Sequence, residues 1–170
     1  MVIEFEQLNE KQKQAIYGYS KGVHNPVNSD LREGRFPLLL DLLLSEHTTR
    51  IIDYIFFSVV AKKTNPPIVY RGTCNDIIYN NPEFKVNQFM STSLKEEIAL
   101  KFITPDNGIM LKIHLQNTNI NLLEVESNEN SLKEFEYIIP RNTKFKVLYR
   151  GEEMNQEKNK IIPFIGICPF

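Results

Sequence analysis

An α+β domain is the fold class this sequence predicts, and three observations carry it. The first third of the chain has helical periodicity, the remainder alternates with a period of two, and the G-x-G-x-x-G fingerprint of a doubly wound dinucleotide-binding sheet is absent. At 170 residues the chain has the size of one ordinary domain, long enough to bury a core without disulfide help. A single domain over 1–170 is therefore expected.

Three helices are expected before the strands begin. The stretch "NEKQKQAIYGYSKG" starts at Asn9, a side chain able to cap the first turn, and stops at Gly22. In "RFPLLLDLLLSE", Pro37 stands at a favoured first-turn position and leucines cover most of the helix surface, which predicts burial. In "TTRIIDYIFFSVVAKK" the pairs Ile51-Ile52, Ile55-Phe56 and Val59-Val60 recur every four residues and mark one buried stripe.

The breaker "TNPP" ends the helical region, and "PIVYRGT", "KVNQFMSTS", "GIMLKIHLQ", "EFEYII" and "TKFKVLY" follow as strands. One short helix, "LKEEIALKFI", interrupts them, with Ser93 and Glu96 spaced as a capping box. "EYIIPRNTKFKV" reads as a hairpin turning at Pro140 to Asn142, and "GEEMNQEKNK" as a charged loop. The last segment, "IIPFIGICPF", must dock on the body, since Ile161 to Phe170 would otherwise expose a large apolar patch.

Composition removes several classes of function. With 20 Lys+Arg against 21 Asp+Glu there is no basic face for a phosphate backbone, so no nucleic-acid partner is expected. Cys74 and Cys168 lie far apart in no metal-like spacing, and His24, His47 and His114 are equally scattered, so neither a metal nor a catalytic triad is expected. The apolar run around Ile51 is interrupted by Asp53 and is shorter than the about 20 residues of a membrane span, so no membrane partner is expected. "MVIEFEQLNEKQKQ" is charged throughout and lacks the apolar core of a secretory signal. A soluble monomer follows as the expectation, acting in the cytoplasm or delivered into a host cytosol.

Candidate chemistry sits in three places. Glu134 and Glu136 stand two apart on one strand, so they share a face about 6 to 7 Å from each other, where like charges repel. Taken alone, such a pair is ordinarily solvated on a half-buried strand. "VYRGT" ends a strand in Arg71, whose fork can hold phosphate oxygens, and Gly72, where a backbone can approach a ligand closely. "FMSTS" ends another in Ser91, Thr92 and Ser93, which taken alone is a helix cap.

In this order, R-G, then F-x-S-T-S, then E-x-E, the set resembles the ADP-ribosyltransferases of the arginine-serine-glutamate type, which include the enzymatic components of clostridial binary toxins. The resemblance covers most of the chain: "YSKGVHNPVNSDLREG" is similar to the family's N-terminal stretch through Tyr19, Asn28, Leu31 and Arg32, and Phe102 stands where the family commonly stacks an aromatic on nicotinamide. It implies the ADP-ribosyltransferase-like fold, with N-terminal helices packed on two mainly antiparallel sheets around an NAD cleft. It implies NAD as a substrate, held by Arg71, Gly72, Ser91, Thr92, Phe102, Tyr19, Asn28 and Arg32, and no metal. The activity implied is transfer of ADP-ribose to an arginine of a target protein, with nicotinamide released.

The resemblance also assigns roles. Cleaving the bond between ribose and nicotinamide gives the sugar oxocarbenium character, and a fixed carboxylate beside it, here Glu136, stabilises that charge. Ser91 would hold Glu136 and the ribose in register, and Arg71 would grip the phosphate or ribose side. An acceptor guanidinium has a pKa above about 12, so it needs a second carboxylate, Glu134, to bind it and take its proton. Two departures from the family stand out: no aromatic occurs in "NENSLK" before the E-x-E, and "FITPD" lacks the Arg that relatives carry after the stacking Phe. Two alternatives stay open, an NAD glycohydrolase and a non-catalytic NAD-binding module. A sugar hydrolase is the poorest reading, because residues two apart on one strand do not flank a bond from opposite sides.

Overall fold

The computed structural model describes residues 1–20, 39–74, 77–103, 107–125, 136–155 and 160–170. Three α-helices stand among them: α1 (Glu10–Gly18), α2 (Leu39–Ser58) and α3 (Glu96–Leu100). Nine strands accompany them: β1 (Val2–Ile3), β2 (Ile68–Cys74), β3 (Glu83–Val86), β4 (Met90–Ser93), β5 (Gly108–His114), β6 (Leu122–Glu124), β7 (Glu136–Ile139), β8 (Thr143–Asn155) and β9 (Lys160–Pro169).

Helix α1 begins where the sequence places it. The Asn9 side chain accepts from the Gln12 N–H at 3.0 Å, while the Gln12 side chain accepts from the Asn9 N–H at 2.9 Å. Two otherwise orphaned donors are thereby satisfied. Where two helices are expected between residues 36 and 63, the described residues form a single helix: α2 runs unbroken from Leu39 to Ser58. The polar stretch Ser45 to Thr49 holds neither glycine nor proline, so a dip in hydropathy does not end the hydrogen-bond ladder. Ile52 and Ile55 are fully buried, whereas Val60, beyond the helix end, is exposed. Asp53, which interrupts the apolar run, is bound by Arg141: Nε lies 2.9 Å from both carboxylate oxygens and Nη2 lies 2.6 Å from Oδ2. This fork ties α2 to the turn after β7. Among the described residues no helix is long and apolar enough to cross a membrane.

The strands form one mixed nine-stranded sheet in the order β1-β6-β7-β4-β2-β5-β9-β8-β3, which corrects the expectation of two sheets. Pairing of Tyr70 on β2 with Ser93 on β4 makes the two halves continuous, and alternation in sequence marks strands without saying which of them pair. The β1–β6 and β5–β9 pairs are parallel and the other six pairs antiparallel.

Other expectations change for the same reason. "KVNQFMSTS" holds the end of β3 and the whole of β4, which lie far apart in the sheet. The turn after Pro140 exists, with Asn142 at φ 65° and the Thr143 hydroxyl donating to the Pro140 carbonyl, yet β7 and β8 are not partners. "GEEMNQEKNK" supplies strand at both ends, as β8 and β9 pair from Asn155 opposite Lys160 back to Phe145 opposite Pro169. The terminal segment thus docks as β9, between β5 and β8.

One face of the sheet encloses a core to which both halves contribute, including Val69, Met90, Leu111, Tyr137, Phe145 and Ile167. The other face carries the helices in two patches. Ile16, Tyr19, Ile52, Ile55, Phe89 and Ile138 pack together under α1 and α2, and Ala99, Met110 and Ile162 pack under α3.

Candidate functional site

The site develops where the sheet is joined most thinly. Among the described residues β2 and β4 share one register pair, Tyr70 opposite Ser93. The carbonyl of Ser91 accepts from Arg71 Nη1 at 2.7 Å, a side-chain donor reaching across the seam. On the far side of β4, Ser93 stands opposite Glu136 and Ser91 opposite Ile138. A guanidinium, a run of hydroxyls and a carboxylate are thus assembled by three neighbouring strands, β2, β4 and β7.

A cleft of about 330 Å³ opens there. It is lined by Arg71, Gly72, Ser91, Thr92, Phe102 and Glu136, which come from four separate stretches of the sequence. Its size is at the lower end of small-molecule sites, about 300–1,000 Å³. Polar groups at the seam face an apolar wall formed by Ile98, Ala99 and Phe102 of α3 and the turn after it, and the Phe102 ring is 60% exposed. That combination suits a ligand with phosphate or hydroxyl groups at one end and a planar ring at the other.

Several residues have duties different from those expected. Gly72 is indispensable for packing: a Cβ there would lie 1.9 Å from the Ala99 carbonyl oxygen and 3.0 Å from Ile103 Cγ1. Its missing side chain lets α3 lie against β2, so the close approach is by a helix. Thr92 is buried and donates its hydroxyl to the Tyr137 carbonyl at 2.9 Å, stitching β4 to β7. Ser93 does not cap α3. It is the last residue of β4, its hydroxyl accepts from the Lys95 N–H at 3.0 Å, and Lys95 occupies the capping position.

Tyr19 does not line the cleft either. Its ring is fully buried, packed edge-on against Phe89 with centroids 5.8 Å apart, because the apolar patch under α1 has room for it. Glu134, Asn28 and Arg32 lie outside the described residues.

Sequence reasoning missed Ser20, whose hydroxyl donates to Glu136 Oε2 at 3.0 Å. No local signal distinguishes it, since its partner is 116 residues away. Cys74 also lines the cleft, at the exposed end of β2.

Behind the apolar wall, Lys112 of β5 holds α3 in place. Its Nζ lies 3.2 Å from Glu96 Oε1 and 2.8 Å from Glu153 Oε2, and 4.6 Å from the centre of the Phe164 ring. Burial raises the Glu96 carboxyl above its ordinary value, and its hydrogen bond with Glu153 raises it further. Burial also pushes Glu153 upward, but its hydrogen bonds to Lys112 and Glu96 outweigh this and leave it lowered. The Lys112 ammonium is raised, as the two carboxylates overcome the opposing effect of its burial. Burial, then the Glu96 charge, raises the Tyr70 phenol at the cleft wall. Among the described residues no three His, Cys, Asp or Glu side chains converge to hold a metal.

Comparison with known proteins adds a family and a set of folds. The family model described as "ADP-ribosyltransferase exoenzyme" matches residues 4–163. No curated protein matches the chain by sequence. Among solved structures the chain is similar to the ADP-ribosyltransferase Vis in complex with agmatine, at 18% identity and a TM-score of 0.70, covering 95% of this chain and 75% of that one. Vis is a toxin from Vibrio splendidus. Plx2a, an ADP-ribosyltransferase toxin from Paenibacillus larvae, gives 20% identity and a TM-score of 0.71, covering 97% and 88%. BECa, from a binary enterotoxin of C. perfringens and solved with NADH, gives 17% and 0.74, covering 98% of this chain and 45% of that one.

Proposed function

Because this chain belongs to the ADP-ribosyltransferase exoenzyme family, we propose that it transfers ADP-ribose from NAD to an arginine of a target protein and releases nicotinamide. The observation that carries the reading is the convergence of Arg71, Ser91 and Glu136, from three strands, on one cleft rimmed by an exposed Phe102.

The residues present fit the dinucleotide. The Arg71 guanidinium offers donors beyond the one given to the Ser91 carbonyl, suited to phosphate or ribose oxygens. Phe102 provides an apolar face for a planar ring. Glu136 is placed at the start of β7 by its register with β4, a negative charge set in position for the cationic character that grows on the ribose as the glycosidic bond lengthens. Bound NAD supplies a cationic nicotinamide as leaving group. Ile98, Ala99 and Phe102 give the ring side of the cleft an apolar lining.

The arginine acceptor rests on the sequence pair Glu134 and Glu136, in which Glu134 binds the guanidinium and removes its proton as the new bond forms. Vis, similar in fold, has been solved with agmatine, itself a guanidinium compound. The test is incubation with labelled NAD and cell lysates, with the modified residue identified by mass spectrometry. Glu136→Gln should abolish both nicotinamide release and transfer. Glu134→Gln should abolish transfer and leave release largely intact. Transfer that survives Glu136→Gln refutes the proposal.

A further inference from the structure

We propose that Ser20, just past the end of α1, is a positioning residue of Glu136, an inference that rests on the role given to Glu136 above. Three observations converge on it. The Ser20 hydroxyl donates to Glu136 Oε2 at 3.0 Å, and both residues line the cleft. The residue before it, Tyr19, is fully buried against Phe89, which immediately precedes β4. The chain at Tyr19 and Ser20 also widens into a π-type turn, a local departure that is common at functional sites.

These facts form one mechanical chain. The Tyr19 ring pins the end of α1 to the segment leading into β4, and β4 in turn pairs with β7. Ser20 is therefore delivered to the carboxylate by the docking of α1, not by the hydroxyl run of β4. A hydrogen bond to a charged acceptor selects one rotamer of a side chain that otherwise has several. Glu136 is thus braced from outside the sheet, so that its charge meets the reacting sugar in a fixed position.

The test uses the full chain as wild type, Ser20→Ala and Ser20→Thr. Nicotinamide release is measured for kcat and KM, Tm is measured by thermal unfolding, and crystal structures report the Glu136 rotamer. Ser20→Ala should lower kcat by about 10- to 100-fold, one decade for each 1.4 kcal/mol of lost transition-state stabilisation, with KM within about twofold and Tm unchanged. Its Glu136 side chain should spread over more than one rotamer. Ser20→Thr, which keeps the hydroxyl, should restore kcat to within about threefold of wild type. An active wild type with an unaffected Ser20→Ala, or with Ser20→Thr as impaired as Ser20→Ala, overturns the positioning role alone. A wild type that releases no nicotinamide overturns the functional reading itself, so the two failures are distinct.

Discussion

Replacing Gly72 by alanine separates packing from ligand approach, the two reasons for a glycine beside Arg71. The added Cβ would lie 1.9 Å from the Ala99 carbonyl oxygen, where contacts below 3.0 Å essentially never occur. Backbone, rather than the tip of a flexible side chain, blocks it, so α3 must move away from β2 by about 1 Å or more. Overpacking of this kind costs about 1–3 kcal/mol. For a domain of this size that is a fall in Tm of about 2–4 °C per kcal/mol. The displaced helix carries Ala99 and leads to Phe102, so the apolar wall moves relative to Arg71 and Glu136. A misplacement of about 1 Å can lower turnover by about 10²-fold. The measurements are thermal unfolding and nicotinamide release on the same preparation. Unchanged Tm with normal activity would show that α3 does not rest on Gly72, and lost activity at unchanged Tm would return the glycine to a ligand-contact role.

Further outcomes follow from other contacts. Lys112→Met should destabilise the fold by about 1–2 kcal/mol at pH 7 in urea titrations, since it leaves Glu96 and Glu153 facing each other. The lowered Glu153 contributes stability above its unfolded pKa that disappears as pH falls through the lowered value, whereas the raised Glu96 contributes below its unfolded pKa and loses it as pH rises. Without the cation both carboxylates resist ionisation, so the deficit of Lys112→Met should shrink as pH drops below the carboxylate range; a deficit that grows in acid contradicts the assignment. A double-mutant cycle on Asp53→Ala and Arg141→Ala should give a coupling of about 1 kcal/mol for the half-exposed forked pair, and zero coupling would mean that α2 is held by packing alone. Phe102→Ala should change stability by less than about 0.5 kcal/mol, because the ring is exposed, yet raise the KM for NAD. A large fall in Tm would place Phe102 in the core instead.

Much of the fold was legible because local rules act on neighbours. Asn9 and Gln12 close a capping box three residues apart, and alternation from Gly108 to His114 marks a strand with no help from the rest of the chain. Pairing was not legible. Nothing in "KVNQFMSTS" says that its two ends belong to β3 at the sheet edge and β4 near the seam, and nothing around Pro140 says that the strands flanking the turn diverge. β1 and β6 are too short, at two and three residues, to show a period at all.

By itself the sequence determined which chemical groups exist and in what order: a guanidinium on β2, hydroxyls at the end of β4 and a carboxylate at the start of β7. The hydroxyls and the carboxylate sit at strand termini for reasons of local alternation and breaking residues, whereas Arg71, expected to end its strand, stands in the middle of β2, whose ladder with β5 continues to Cys74. Tertiary structure alone decided that these groups meet, that Gly72 serves the close packing of a helix, and that a serine just past α1 reaches the carboxylate 116 residues away. Contacts of that range are selected by the packing of whole faces, Tyr19 on Phe89 and Ala99 over Gly72, and such complementarity has no signature in any window of neighbouring residues.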